Sequence, residues 1–589
     1  MSRILPEREV VIVGFGWTGA IMAEQLTEAG MDVLALERGV WRDTSTDYAV
    51  NNAQDEVRYR YRDELFEDLS RETLTFRNTS DQQALPMRML GSFLPGTNVG
   101  GSGVHWNGQT WRFLPSDFQA RSHNVERYGE DAIQDDMTIQ DWGVTYDELE
   151  PHYDYFEKIC GISGKAGNLN GEIQDGGNPF EGWRSSEYPN PPMEMVAAPL
   201  KFRDAARELG YNPFPGPSAN MSQGYTNPLG VQLAPCTYCG FCEKYACGNY
   251  SKATATTTIL PALMRRENFT LRTGAMVLRV EKDSSNSRAT GVTYLNTEGE
   301  EFFQPAQMVI LAGYITHNVN LLMQSGIGEI YNPETGEGQV GRNYAYQIMS
   351  GASVFYDDDF AVNPFVGAGA LGQVIDEFNG DNFDHTGLGF IGGGYIAQWQ
   401  TNGRPIESHP VPEGTPKFGA GWKKAVRESY NHTVGVGAHG AVMSFRGNYL
   451  DLDPTYTDAY GRPLMRLTFD FKQNDIRMSN YLTGKVAEIA NAMGGREVSV
   501  SPVKTPYDIA PYQTTHNTGG HIMGDNPGNS VTNKYNQSWD LPNLFLTGAG
   551  NFPQNPGYNP TGTVAALAYH SAKAIREQYL RNPGPLVQA

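Results

Sequence analysis

The chain has 589 residues and carries 45 basic against 66 acidic side chains, a formal net charge of −21. That surplus repels a phosphate backbone and an anionic lipid surface, which excludes nucleic-acid binding and direct electrostatic docking on a membrane. Apolar residues at 39% together with 66 glycines supply a sizeable core and exclude global disorder.

Val10 to Val13 form a short apolar run that opens directly onto Gly14. A helical stretch is predicted from Thr18 to Ala29, stopped by Gly30, and Val33 to Leu36 read as a second strand. The chain thus opens on a βαβ unit. The apolar run sits behind Glu7, Arg8 and Glu9, which is not a signal-peptide pattern. No uninterrupted apolar stretch reaches the length of a membrane span, so none is expected. Residues from about 130 to 250 are rich in Gly, Pro, Asn and Tyr and are expected to be mostly loop. Strand character resumes at Thr270–Arg272, Met276–Val280, Gly291–Leu295 and Met308–Ala312. Residues 346–504 contain alternating strand-like pieces and one helix, about Asp475–Met493. A last helix is predicted from Gly562 to Gln578. No internal repeat is visible.

Two segments carry a nucleotide signature. In Gly14-Phe-Gly16-Trp-Thr-Gly19, Gly14 makes the tight turn and Gly16 lets the backbone approach a pyrophosphate. Gly19 packs helix on strand, and Glu37, at the end of the next strand, binds ribose hydroxyls. The motif alone separates neither NAD from FAD. In the second segment, Asn98 to Gly108, the residues Gly100, Gly101 and Gly103 let backbone lie flat against a cofactor.

Four of the five cysteines fall in Cys236-Thr-Tyr-Cys239-Gly-Phe-Cys242-Glu-Lys-Tyr-Ala-Cys247. The first three repeat bacterial ferredoxin spacing, but the last gap is one residue longer and no Pro follows. Four thiolates also complete a tetrahedral zinc set. A core role is poor, because the segment has no core periodicity. Cys160 stands alone and reads as a buried thiol.

These motifs together resemble the glucose–methanol–choline (GMC) oxidoreductases, a family that binds FAD. The glycine motif with Glu37 matches, as do Val99-Gly-Gly, Leu321-Leu322 with Ser325-Gly-Ile-Gly328, and Val340-Gly-Arg-Asn343. The stretch from Asn543 through Gly548 and Asn551 to Asn559-Pro-Thr matches too. Within the family the chain is most similar, over nearly its whole length and including Cys236–Cys247, to the large flavoprotein subunits of bacterial membrane-bound gluconate and 2-ketogluconate dehydrogenases.

The resemblance implies an α/β (α+β) fold. A Rossmann-like FAD-binding domain is assembled from the discontinuous segments 1–130, 250–345 and 505–589. Segment 131–249 is a loop-rich insertion carrying the cysteines, and 346–504 is a substrate-binding domain with an antiparallel sheet. Arg38, His105, Asn107, Gly548 and Asn551 join the glycines and Glu37 as FAD-binding residues. His105 falls where pyranose oxidase attaches its FAD covalently through the 8α-methyl. By motif position His516 is the catalytic base and Asn559 its partner facing the flavin. A histidine suits proton removal as hydride leaves the carbon, since its unperturbed pKa lies near neutrality. His521 is expected to act behind this pair, and His432, His439 and His570 to be structural.

The resemblance further implies an iron–sulfur cluster on Cys236, Cys239, Cys242 and Cys247, [3Fe–4S] before [4Fe–4S]. A haem c subunit would accept the electrons, and a small subunit would direct export to the periplasmic face of the inner membrane; the other location is the cytoplasm. The expected reaction is oxidation of gluconate to 2-ketogluconate, with 2-ketogluconate or a polyol such as sorbitol as further substrates. A pyranose-oxidase-like oxidase and a non-catalytic, zinc-stapled nucleotide-binding scaffold are the rival readings. A sugar acid calls for a cation near its carboxylate; Arg112, Arg446 and Lys472 are available, and nothing in the sequence selects one.

Overall fold

The computed structural model describes residues 2–48, 65–401 and 409–588. Its first sheet has eight strands, with Arg8–Val13 flanked by Val33–Leu36 and by the long strand Glu301–Leu311. Phe269–Arg272 extends it beyond Val33–Leu36, and Leu544–Leu546 pairs with Glu301–Leu311; these pairings are all parallel. Fully buried parallel strands need side chains that are apolar on both faces. Val10, Val11, Ile12, Val309, Ile310 and Leu544 meet that need at 0% exposure. The first half of Glu301–Leu311 instead pairs with Ala289–Leu295, which pairs with Met276–Lys282, as an antiparallel meander.

A second sheet has six strands in the order Glu497–Ser501, Ile348–Phe355, Thr433–Gly440, Gly394–Trp399, Gly372–Ile375 and Phe214–Pro215, every neighbouring pair antiparallel. The helix Gln473–Ala492 packs on this sheet through Met478, Leu482, Val486 and Ile489. The expected α/β (α+β) class, a Rossmann-like sheet beside an antiparallel one, is the observed class.

Segment 131–249 departs from the expected loop. It holds two helices, Tyr146–Cys160 and Ala197–Glu208. In the first, the Thr145 hydroxyl accepts from the Glu148 N–H and the Glu148 carboxylate accepts from the Thr145 N–H, a capping box. Gly161 then ends it with φ +64°. Leu149, Tyr153, Phe156 and Ile159 recur on one buried face, a helical period hidden among the polar residues of the segment.

Candidate active site and cofactor cavity

A cavity of about 460 Å³ lies between the two sheets. Its floor is the turn after Arg8–Val13. Gly14 has φ +97°, and a Cβ on Gly19 would sit 2.1 Å from the Gly14 carbonyl oxygen, so helix and strand meet at backbone contact. Nothing lies within 4 Å of where a Cβ on Gly16 would project, so the helix N-terminus opens on the cavity. Glu37 is buried at the next strand end. Its carboxylate accepts from the N–H of Phe15 at 2.9 Å and of Gly39 at 2.7 Å. Each oxygen keeps a second lone pair for a ribose hydroxyl. Arg38 lines the cavity too, held by Glu67 and Glu72.

The second glycine segment crosses this floor: a Cβ on Gly101 would come 3.3 Å from the Gly16 Cα. Gly101, His105, Asn107 and Gly548 line the cavity. Gly100 and Asn551 do not. Gly100 donates its N–H to the Phe15 carbonyl at 2.8 Å and so ties the two glycine segments together. Asn551 is fully buried and donates to Thr532 Oγ1 at 3.1 Å.

Two buried ring nitrogens on the cavity wall, Trp17 Nε1 and His105 Nε2, have no partner. Unpaired buried polar atoms are costly. The glycine floor, the free helix N-terminus and these two atoms fit a dinucleotide cofactor. Burial and the charge of Lys252 hold the His105 imidazole down at about 3, so it is neutral and nucleophilic.

At the other end His516 and Asn559 meet. Asn559 Nδ2 donates to His516 Nε2 at 3.1 Å. The Asn559 amide is oriented by its oxygen, which accepts from Trp111 Nε1 at 3.0 Å and from the Tyr395 hydroxyl at 2.9 Å. His516 Nδ1 contacts Thr514 Oγ1 and Gln347 Oε1. Gln347 Nε2 donates to the carbonyls of Pro556, Gly557 and Tyr558 at 2.8 to 3.1 Å. The Gln347 oxygen therefore faces Nδ1 and accepts a hydrogen bond from its N–H, leaving the lone pair on Nε2, toward Asn559. Burial, then His439, pushes the His516 pKa down to about 3.

His439 stands in the cavity wall rather than in a structural position. The Tyr395–His439 and Met349–His439 pairings place these three side chains in one row of the antiparallel sheet. Its ring stacks on Tyr395 at 5.0 Å and lies 6.4 Å from His516. The signal was present in sequence: Val434, Val436 and Ala438 alternate toward the core, which leaves His439 on the glycine-lined face with Gly435 and Gly437. Gln347 carried no comparable signal. His521 is fully buried, does not line the cavity, and leaves Nδ1 without a partner. Arg112 is committed to Glu157 and Glu150 at 2.8 to 3.0 Å, and neither it, Arg446 nor Lys472 lines the cavity.

The cysteine segment abuts the same cavity. Glu243 and Lys244, which follow Cys242, line it, and the Lys244 N–H donates to the His105 carbonyl at 2.8 Å. The cysteines are free thiols, Cys242 buried and Cys236, Cys239 and Cys247 partly so. Burial raises the thiols of Cys236, to about 12, and of Cys239 and Cys242. Such thiols ionise on binding a metal. Four thiols on one loop are a donor set for an iron–sulfur cluster or for a zinc ion.

Residues 143–349 and 444–568 match the GMC oxidoreductase family. The chain is 50% identical to the gluconate 2-dehydrogenase flavoprotein of Pantoea cypripedii, over 100% of this chain and 97% of that one. The chain belongs to the GMC oxidoreductase family. GMC members are FAD-dependent oxidoreductases acting on CH–OH donors, and so is this chain; the cavity is the candidate site for the FAD. The chain is also 25% identical to the fructose dehydrogenase large subunit of Gluconobacter japonicus, over 98% of this chain and 99% of that one. An Aspergillus oryzae formate oxidase shares the fold at a TM-score of 0.62, with 14% identity and cover of 98% of this chain and 99% of that one. Among the described residues no helix is long and apolar enough to cross a membrane.

Proposed function

We propose that this GMC oxidoreductase is the flavoprotein of a sugar-acid dehydrogenase and oxidises gluconate at carbon 2. The observation that carries the reading is the full-length 50% identity to a gluconate 2-dehydrogenase flavoprotein. It is supported by the His516–Asn559 pair at one end of the FAD cavity.

A substrate hydroxyl placed between the two side chains replaces their mutual bond. Its proton passes to His516 Nε2, the one ring nitrogen with a lone pair. Its oxygen, as negative charge develops, accepts from Asn559 Nδ2. Gln347 Oε1 holds the Nδ1 proton and steadies the imidazolium. FAD, when bound, supplies the acceptor for the hydride that leaves carbon. His439 and Glu243 lie in the same wall and would meet the remaining hydroxyls.

The four cysteines would hold a cluster, [3Fe–4S] by preference, that carries single electrons outward when bound. The reading includes a haem c subunit as acceptor and a small subunit that directs export to the periplasmic face of the membrane. It divides the chain into an FAD-binding part (1–130, 250–345, 505–589), the cysteine insertion (131–249) and a substrate part (346–504). His105 would hold the FAD covalently.

Anaerobic mixing of the purified, FAD-loaded chain with gluconate tests the reaction. Gluconate should bleach the flavin faster than 2-ketogluconate or sorbitol does. No bleaching by any of the three rejects the reading, and zinc without acid-labile sulfide in the same preparation rejects the cluster.

A further inference from the structure

Lys252 is fully buried, a few residues beyond the last cysteine of the loop. Its ammonium uses all three N–H groups on carbonyl oxygens: Trp106 at 2.7 Å, Cys242 at 2.8 Å and Tyr245 at 2.9 Å. Carbonyls solvate an ammonium but do not cancel its charge, and a buried charge without compensation is expensive. Burial pulls its pKa down, against the cysteine loop and the Glu243 carboxylate beside it; the three donated bonds need all three hydrogens of an ammonium, where a neutral amine has two. The same charge acts on the His105 imidazole from the other side. One side chain thus joins the cavity wall at Trp106 to the cysteine loop at Cys242 and Tyr245, and sets a positive charge between them.

We propose that Lys252 is the fixed countercharge of the four-cysteine site: it offsets the negative charge of a thiolate-bound cluster and, as a positioning residue, holds the cysteine loop against the His105–Asn107 wall. The proposal rests on the iron–sulfur reading. A nearby positive charge favours the more negative, reduced cluster, so Lys252 raises the ease of reduction.

The test compares the wild-type holoenzyme with Lys252→Gln, which keeps two N–H donors without the charge, and Lys252→Met, which keeps neither. Iron, acid-labile sulfide and FAD per chain are measured, with a redox titration of the cluster followed by electron paramagnetic resonance. In Lys252→Gln, with FAD retained, the oxidised-to-reduced ratio of the cluster at a fixed potential should rise about tenfold, a midpoint about 59 mV lower for one electron. Loss of at least half the iron from that variant, with FAD retained, supports the proposal equally. Wild-type iron and midpoint in Lys252→Gln overturn it. Loss of FAD and iron together from both variants leaves only the loop-holding role and overturns the countercharge. A wild-type chain without iron or sulfide fails the iron–sulfur reading itself, an outcome distinct from the others.

Discussion

His516 owes its chemistry to neighbours distant in sequence. Gln347 decides which ring nitrogen carries the proton, and the Gln347 amide is itself oriented by three carbonyls of residues 556–558. Replacing His516 with Ala should slow anaerobic flavin reduction by about 10²- to 10⁴-fold, the loss typical of a missing general base. The flavin spectrum should hardly change, and Asn559→Ala should lose less. A near-normal rate in His516→Ala would remove it from the mechanism and leave His439 as the base to test, since His521 does not line the cavity. The pH profile carries a second check. A folded-state pKa near 3 keeps the imidazole neutral, so the acid limb of flavin reduction should fall well below the ordinary histidine value of about 6.5. The linked stability term has the same sign. Below about 6.5 the unfolded chain takes up a proton that the folded chain does not, so stability is lost as pH falls.

The glycine segments and the loop they support work as one element. Gly100 is bonded to Phe15, Gly101 lies on Gly16, and the short helical turn Gly101–Val104 then delivers His105 into the cavity wall. The His105 ring stands edge-on to Phe66 at 4.6 Å, with Nε2 buried and unpaired. In the proposed link this imidazole nitrogen would replace one hydrogen of the flavin 8α-methyl, the flavin itself taking up the two electrons. Acid precipitation should leave a yellow, fluorescent pellet, with a flavin-sized mass addition on the peptide containing His105. Release of all flavin into the supernatant from fully loaded protein would make His105 a non-covalent contact.

Across the whole molecule, the cavity and the cysteine loop share a wall. The cysteine loop touches it through Lys244 and His105 and is fastened to it by Lys252. In Cys242→Ser, substrate should still bleach the flavin, while electron delivery to a cytochrome or quinone should fall steeply, together with labile sulfide. Unchanged turnover with the natural acceptor would defeat the relay.

Local pattern was enough for the βαβ opening, where Val10–Val13, the three glycines and Glu37 stand within one short stretch and each has a single physical use. It was enough for the strands at 269–311, the helix near 475–493 and the cysteine spacing, because period and spacing are properties of the chain itself. The helix Tyr146–Cys160 was missed because its apolar face is interleaved with polar residues and an exposed Pro151 lies in its first turns, so composition outweighed period. Gly100 and Asn551 matched a motif yet do not line the cavity, since a motif states which residues recur and not which atoms face it. The tautomer of His516, the row Met349–His439–Tyr395 and the burial of Lys252 between two sites were decided by tertiary structure alone. Each depends on strands and loops far apart in the chain, and on whether a polar atom finds its partner there or is left facing the cavity.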